Sequence, residues 1–314
     1  VREAPPDLTL DDVADAVSRF WGRGVDTVEH LPLGFGAHHW DVVCGNRRFF
    51  ATLDAIGSRH TERSLESAYS TAARLAASGL EFVAASDPSI HGGYTAPLGT
   101  GRLSIVPWID GHVAGNGSID DAALAEADAA ALTRLHAARP PEGIPRWRPR
   151  VDPTFAAELR DRCGRGWEAG PHGEAARALV LDDLDAVERW TARYTALAAR
   201  ASGREWVVTH GEPHTRNQLL TGRGLVFVDW ESVAFAPRER DLRVLVDSGY
   251  ARLVAAEAEV LELFDLEWRL DEIREYTRWF SRRHGDGESD RVALDGLAEE
   301  LHRPDWHPPA TPPG

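Results

Sequence analysis

A chain of 314 residues, 43% of them hydrophobic, can bury a full core in one large domain or two lobes, and disorder is not its default. Its formal charge of -15 argues against nucleic acid as a main partner, because phosphate backbones need a basic face, and leaves room for cationic ligands. No apolar run approaches the roughly 18 residues a membrane span needs, and the opening "VREAPPDLTLDD" is acidic and proline-bearing; a protein with no membrane partner and no export signal, resident in the cytoplasm, is expected.

"LTLDDVADAVSRFWG" starts with a capping-box pair, Thr9 and Asp12, continues with apolar residues at helical spacing and stops at glycine, which predicts a helix. From Val25 to Asp54 the runs "VDTVEHLPL", "HHWDVV" and "RRFFATL" are β-type, the last two joined through Gly45-Asn46, a pair suited to a two-residue hairpin turn. A three-stranded antiparallel meander is expected there. "TERSLESAYSTAARLAASG" predicts an alanine-rich helix closed by Gly79, and "GGYTAPLG" and "GRLSIVPWI" two more strands, five in all. "DGHVAGNGS" is rich in turn formers. Beyond it, helices are expected over 119–138, 153–163, 174–201 and in several stretches from 238 to 302, interrupted by the brief β-type segments "EWVVTH", "NQLLT" and "GLVFVDW". The fold class is α+β in two lobes: a β-rich half over 1–108, a larger helical half over 109–303, and a poorly ordered tail over 304–314.

The densest polar stretch is "THGEPHTRNQLL", residues 209–220, followed by "VFVDWES". His210 and His214 are four apart, but Pro213 prevents the helix on which such a pair would face one zinc ion. The H-E-x-x-H and C-x-x-C patterns are absent, and Cys44 and Cys163 fit no ligand spacing. No G-x-S-x-G elbow supports serine-hydrolase chemistry. All 35 basic side chains are arginine, so the lysine of a phosphate-binding loop and any Schiff-base lysine are excluded. Phosphoryl transfer fits better. It asks for one carboxylate to orient and deprotonate a hydroxyl, and for oxygen ligands to magnesium; Glu212, Asn217 and Asp229 supply these types, and a short hairpin would return Asp229 to Asn217.

"HGEPHTRNQLL", "VFVDWE" and "APRERDL" resemble the Brenner-type catalytic segment of the aminoglycoside phosphotransferase family, H-G-D-x-x-x-x-N followed by an apolar strand and [IV]-D-[WF]-[DE]. In the same order, "LPLGFGAHHWDVV" resembles the family's glycine-containing nucleotide loop, "RRFFATLD" its third strand, "LSIVPWIDG" its hinge strand and "ALTRLHAA" the helix before the catalytic half, so that the resemblance covers roughly residues 20–300. It implies a protein-kinase-like two-lobed fold, with a nucleotide-binding lobe over 1–108 and a catalytic and substrate lobe over 109–303. It also implies Glu212 as catalytic base, Asn217 and Asp229 as magnesium ligands, and Gly34, Gly36, Thr52, Pro107 and Trp108 at the nucleotide. Glu231 and His214 would support substrate or metal. His210 would pack and hydrogen-bond, and residues 238–241 would brace the catalytic loop.

Two positions depart from the family pattern. Glu212 stands where aspartate is usual, one methylene longer, and a displacement of about 1 Å can cost on the order of 100-fold in rate. Thr52 stands where a third-strand lysine would hold the α- and β-phosphates. An arginine from elsewhere, or His38 and His39, would have to replace it, and Glu62 and Glu66 become solvated helix residues. The expected activity is a magnesium-dependent O-phosphotransferase using ATP or GTP on a hydroxylated, cationic small molecule, an aminoglycoside-type antibiotic leading. The alternative is a catalytically impaired, kinase-like nucleotide-binding or regulatory module.

Overall fold

The computed structural model of the protein describes residues 3–33, 36–57 and 59–307. Gly34 of the expected nucleotide loop and residues 308–314 of the expected tail lie outside the described residues. The chain divides into two units, one of residues 1–147 and 205–255, the other of residues 148–204 and 256–314.

In the first unit, helix α1 (Leu10–Trp21) begins with the Thr9–Asp12 capping box. Its Val13, Val17 and Trp21 are buried against one face of an antiparallel sheet, among Trp40, Val42, Phe49, Leu53, Leu103 and Ile105. Burying each large apolar side chain contributes about 1.5–3 kcal/mol, which fixes this face as the core. The strands are β1 (Thr27–Leu31), β2 (His38–Cys44), β3 (Arg47–Ala55), β4 (Ala96–Leu98) and β5 (Gly101–Pro107), in the order β1-β2-β3-β5-β4. Side chains alternate faces along a strand, so with Phe49, Ala51 and Leu53 in the core, Phe50, Thr52 and Asp54 share the opposite face. The register sets Thr52 beside His39 and Ser104 there. Helix α2 (Glu62–Ala77) follows β3.

The remaining elements of this unit carry the polar stretch. Helix α3 (Ala122–His136) precedes it. A three-stranded sheet, β6 (Gly111–Val113), β8 (Gln218–Thr221) and β9 (Gly224–Phe227), pairs in the order β6-β8-β9, and β7 (Val207–Thr209) pairs with β10 (Ala234–Ala236), ahead of α6 (Glu239–Asp247). Strand β6 lies where the sequence reads as turn. A Cβ on Gly111 would stand 2.8 Å from the Leu220 carbonyl oxygen, so here glycine permits close strand approach rather than a bend.

The second unit is helical: α4 (Phe155–Cys163), α5 (Gly173–Ala201), α7 (Ala258–Phe280) and α8 (Glu288–His302). Its most deeply buried charge is Arg269, stacked on Trp190 and bonded to Asp305 and to the carbonyls of Arg303 and Pro304. Among the described residues, no helix is long and apolar enough to cross a membrane.

Candidate active site

The stretch 209–232 is folded around one buried carboxylate. Asp241, at the start of α6, accepts the main-chain N–H groups of His210 (2.9 Å) and Gly211 (2.7 Å), and its Oδ2 also meets His136 Nε2 (3.0 Å). Burial alone would raise its pKa, but the His136 hydrogen bond and the neighbouring His210 and Arg240 hold it below the ordinary value. The neighbouring Arg240 donates from Nη1 to the Thr209 hydroxyl and to the Ser232 carbonyl, tying the two turns together. Gly211 has φ 105, and a Cβ there would lie 2.5 Å from the Arg240 guanidinium. Only glycine fits between that backbone and the arginine.

His210 is fully buried and both ring nitrogens are used: Nδ1 accepts from Glu212 N–H (3.2 Å), so Nε2–H donates to the Val228 carbonyl (2.9 Å). Burial lowers its pKa to about 4, and the ring is neutral. This leaves it no lone pair for a metal. His214 is also held below the usual range by burial, against the charge of Glu212.

Asn217 Nδ2 donates to the Glu212 main-chain carbonyl (3.0 Å), while the main-chain carbonyl of Asn217 accepts from Val228 N–H (2.9 Å). Through the β8–β9 hairpin, Glu212, Asn217 and Asp229 are thus brought to one place. Asp229 has φ 67, the one positive-φ non-glycine among the described residues, a conformation that costs about 1 kcal/mol or more and is held by its surroundings. The 3-10 turn Trp230–Ser232 comes next, where the Ser232 hydroxyl lies 3.1 Å from Glu212 Oε1 and 3.2 Å from Glu231 Oε1. Sequence reasoning did not single out Ser232.

The site is crowded with acid. The Asp229 and Glu231 carboxyls hydrogen-bond one another, and both pKa values are raised: loss of surrounding water is the main cause, followed for Glu231 by the charge of Asp229 and then Glu212. Two facing carboxyls with one proton between them explain the pair. Glu231 Oε2 is buried with no hydrogen-bond partner among the described residues. Asp54, on the same sheet face as Thr52, accepts a 2.6 Å bond from the Tyr69 hydroxyl of α2. Burial raises its pKa to about 7, with Tyr69 opposing and Glu231 adding. Only the alternation of β3 could have announced Asp54; its pairing with Tyr69 is tertiary.

A raised carboxyl pKa stabilises the fold below the ordinary aspartate range, and that contribution is lost as pH rises through about 7. Asp54→Asn keeps an acceptor for Tyr69 and removes the charge. It is expected to be more stable than the wild type at pH 8 by up to about 4 kcal/mol, with the difference narrowing toward pH 5, in urea melts without metal. A difference constant across that range would contradict this assignment.

Around the expected nucleotide positions the structure changes two readings. Glu66 is not a solvated helix residue: its carboxylate accepts the N–H groups of Tyr94 and Thr95 and the Thr95 hydroxyl. The helix-to-strand tie at this level is made by Tyr69 and Asp54. His39 Nδ1 lies 3.2 Å from Thr52 Oγ1, and burial lowers its pKa to about 3; His38 is lowered too. Neither ring carries the positive charge that a lysine at position 52 would supply. Gly36 has φ 103. Pro107 pairs with Phe49 at the end of β5, the Trp108 N–H donates to the Arg48 carbonyl, and the Arg48 guanidinium lies 3.5 Å over the Trp108 ring.

The model of the phosphotransferase enzyme family matches residues 27–307. Protein StrN of Streptomyces griseus is 26% identical over 290 residues, covering 88% of this chain and 87% of StrN. Among solved structures, spectinomycin phosphotransferase APH(9)-Ia in complex with ADP and spectinomycin has a TM-score of 0.71 at 14% identity, over 95% of this chain and 96% of its own. A microcompartment-associated aminopropanol kinase has a TM-score of 0.61 at 15% identity, over 92% and 94%. These similarities show a kinase-like α+β fold. The chain belongs to the phosphotransferase enzyme family and is a phosphotransferase.

Proposed function

We propose that the protein is a magnesium-dependent O-phosphotransferase that uses ATP or GTP to phosphorylate a hydroxyl of an amine-bearing small molecule, an aminoglycoside-type antibiotic being the leading class. The observation that carries this reading is the convergence of Glu212, Asn217 and Asp229: Asn217 Nδ2 donates to the Glu212 carbonyl, and the N–H of Val228, next to Asp229, donates to the main-chain carbonyl of Asn217. The substrate class draws support from the solved relatives, whose names give spectinomycin, aminopropanol and choline as the molecules acted on.

In this reading Glu212 orients the acceptor hydroxyl and takes its proton. Asn217 gives its amide nitrogen to the Glu212 carbonyl, leaving Oδ1 as the oxygen it would offer a cation. Asp229 and Asn217 would hold magnesium, with Glu231 in support. The residues fit a hard cation: they are oxygen donors, two of them crowded carboxyls with raised pKa values, and Glu231 has a buried orphaned oxygen. Among the described residues no group of three or more His, Cys, Asp or Glu could hold a metal alone, as suits an ion that takes its other ligands from phosphates and water. When bound, magnesium would neutralise charge on the transferring phosphates. Gly36, Thr52, Pro107 and Trp108 would line the nucleotide in the same reading, Thr52 offering a hydroxyl in place of an ammonium.

The test is a thermal-shift titration with ATP and GTP, with and without magnesium. Nucleotide at about 100 times its Kd adds roughly 2.7 kcal/mol of stability, and the shift is expected to need magnesium and to shrink in Asp229→Asn. No shift with either nucleotide would sink the reading.

A further inference from the structure

Glu212 is one methylene longer than the aspartate the family pattern has at this place, and its carboxylate meets a hydroxyl of the neighbouring turn. We propose that Ser232 is a positioning residue for Glu212, its hydroxyl fixing the carboxylate at the distance from which it meets the acceptor hydroxyl. This inference rests on the reading of Glu212 as base.

Three observations carry it. The Ser232 hydroxyl is 3.1 Å from Glu212 Oε1, and the residue is 7% exposed, so water competes poorly for that bond. The backbone on both sides is pinned: Asp241 holds the N–H of Gly211, next to Glu212, and Arg240 holds the Ser232 carbonyl at 2.8 Å. Adjacent residues of α6 therefore set the spacing of the two turns that Glu212 and Ser232 share. Last, Glu231 Oε1 is 3.2 Å from the same hydroxyl. A hydroxyl has one proton to donate, so in any one arrangement it serves Glu212 or Glu231. Were Glu231 and Asp229 to hold a cation, that proton would be left to Glu212 and would orient the base. A serine placed to hold a flexible carboxylate acts on geometry alone; the proton of the acceptor passes to Glu212, not to Ser232.

The test measures turnover of MgATP to spectinomycin, to other hydroxylated amines and to water, in Ser232→Ala, Glu212→Asp, the double variant and Glu212→Gln. Loss of a charge-assisted hydrogen bond is expected to lower kcat of Ser232→Ala by about tenfold or more, with KM for ATP within about twofold and Tm close to wild type. In the Glu212→Asp background the shorter side chain no longer reaches Ser232, and Ser232→Ala is expected to change kcat by less than about twofold. Wild-type kcat in Ser232→Ala, or equal losses in both backgrounds, would overturn the proposal, the second outcome marking a merely structural role. Should the alanine variant fail to fold, Ser232→Cys, a weaker donor of similar shape, serves instead, with wild-type kcat again overturning it. Glu212→Gln separates the two levels: turnover retained there removes the base reading and this inference with it, whereas turnover lost there but unchanged in Ser232→Ala removes this inference alone.

Discussion

Glu212→Gln is expected to lower phosphoryl transfer by about 100-fold or more while leaving nucleotide affinity within about twofold, measured as kcat and as Kd by thermal shift. The amide has the size of the carboxylate and can still accept from Ser232, whose hydroxyl is 3.1 Å away, so the loop has no reason to move. What it lacks is the capacity to take a proton. One negative charge also leaves a site where Glu212 helps raise the pKa values of Asp229 and Glu231, so the variant should fold at least as stably as the wild type. A Glu212→Gln protein with unchanged turnover would show that the loop acts by positioning alone.

Asp241→Ala is expected to destabilise the protein by about 3–5 kcal/mol, the cost of breaking a buried charged network from one side. The side chain is fully buried, and its removal strands the N–H groups of His210 and Gly211 together with the His136 ring. The same loss frees the loop before Glu212, so activity should fall along with stability. Urea denaturation at pH 7 measures it; a loss under about 1 kcal/mol would mean that water replaces the carboxylate and that the clamp is not what holds the loop.

Local chemistry carried much of the architecture. Thr9 with Asp12, and Gly45 with Asn46, are short-range signals, and helix α1 and the β2–β3 hairpin stand where those residues place them. The five strands of the first sheet were legible because their runs alternate in type and are separated by turn formers. Strands β6 and β10 were not, since three residues carry too little pattern and Gly111 looks like a turn residue until its partner strand is known. At the site, the Glu212–Asn217–Asp229 grouping followed from a hairpin that could be counted along the chain. The contacts that shape it, Asp241 under the loop, Tyr69 on Asp54, Glu66 on the 94–95 amides and Ser232 beside Glu212, join residues 15 to 31 apart. No periodicity in one sequence encodes such pairings. The missing lysine was visible as an absence, but the neutrality of His39 beside Thr52 depends on burial, a property of the fold.

In the proposed reading this loop transfers a nucleotide's terminal phosphate to a small hydroxylated amine. That reading is tested most directly by incubating the protein with γ-labelled ATP or GTP and magnesium against a panel of hydroxylated amines and aminocyclitol and aminoglycoside antibiotics, spectinomycin among them, and following the label. A labelled acceptor is expected from at least one member of the panel, formed only with magnesium and reduced by about 100-fold or more in Glu212→Gln. Nucleotide and magnesium binding with no label on any acceptor would contradict the reading, and would mark the site as one that holds a nucleotide without turning it over.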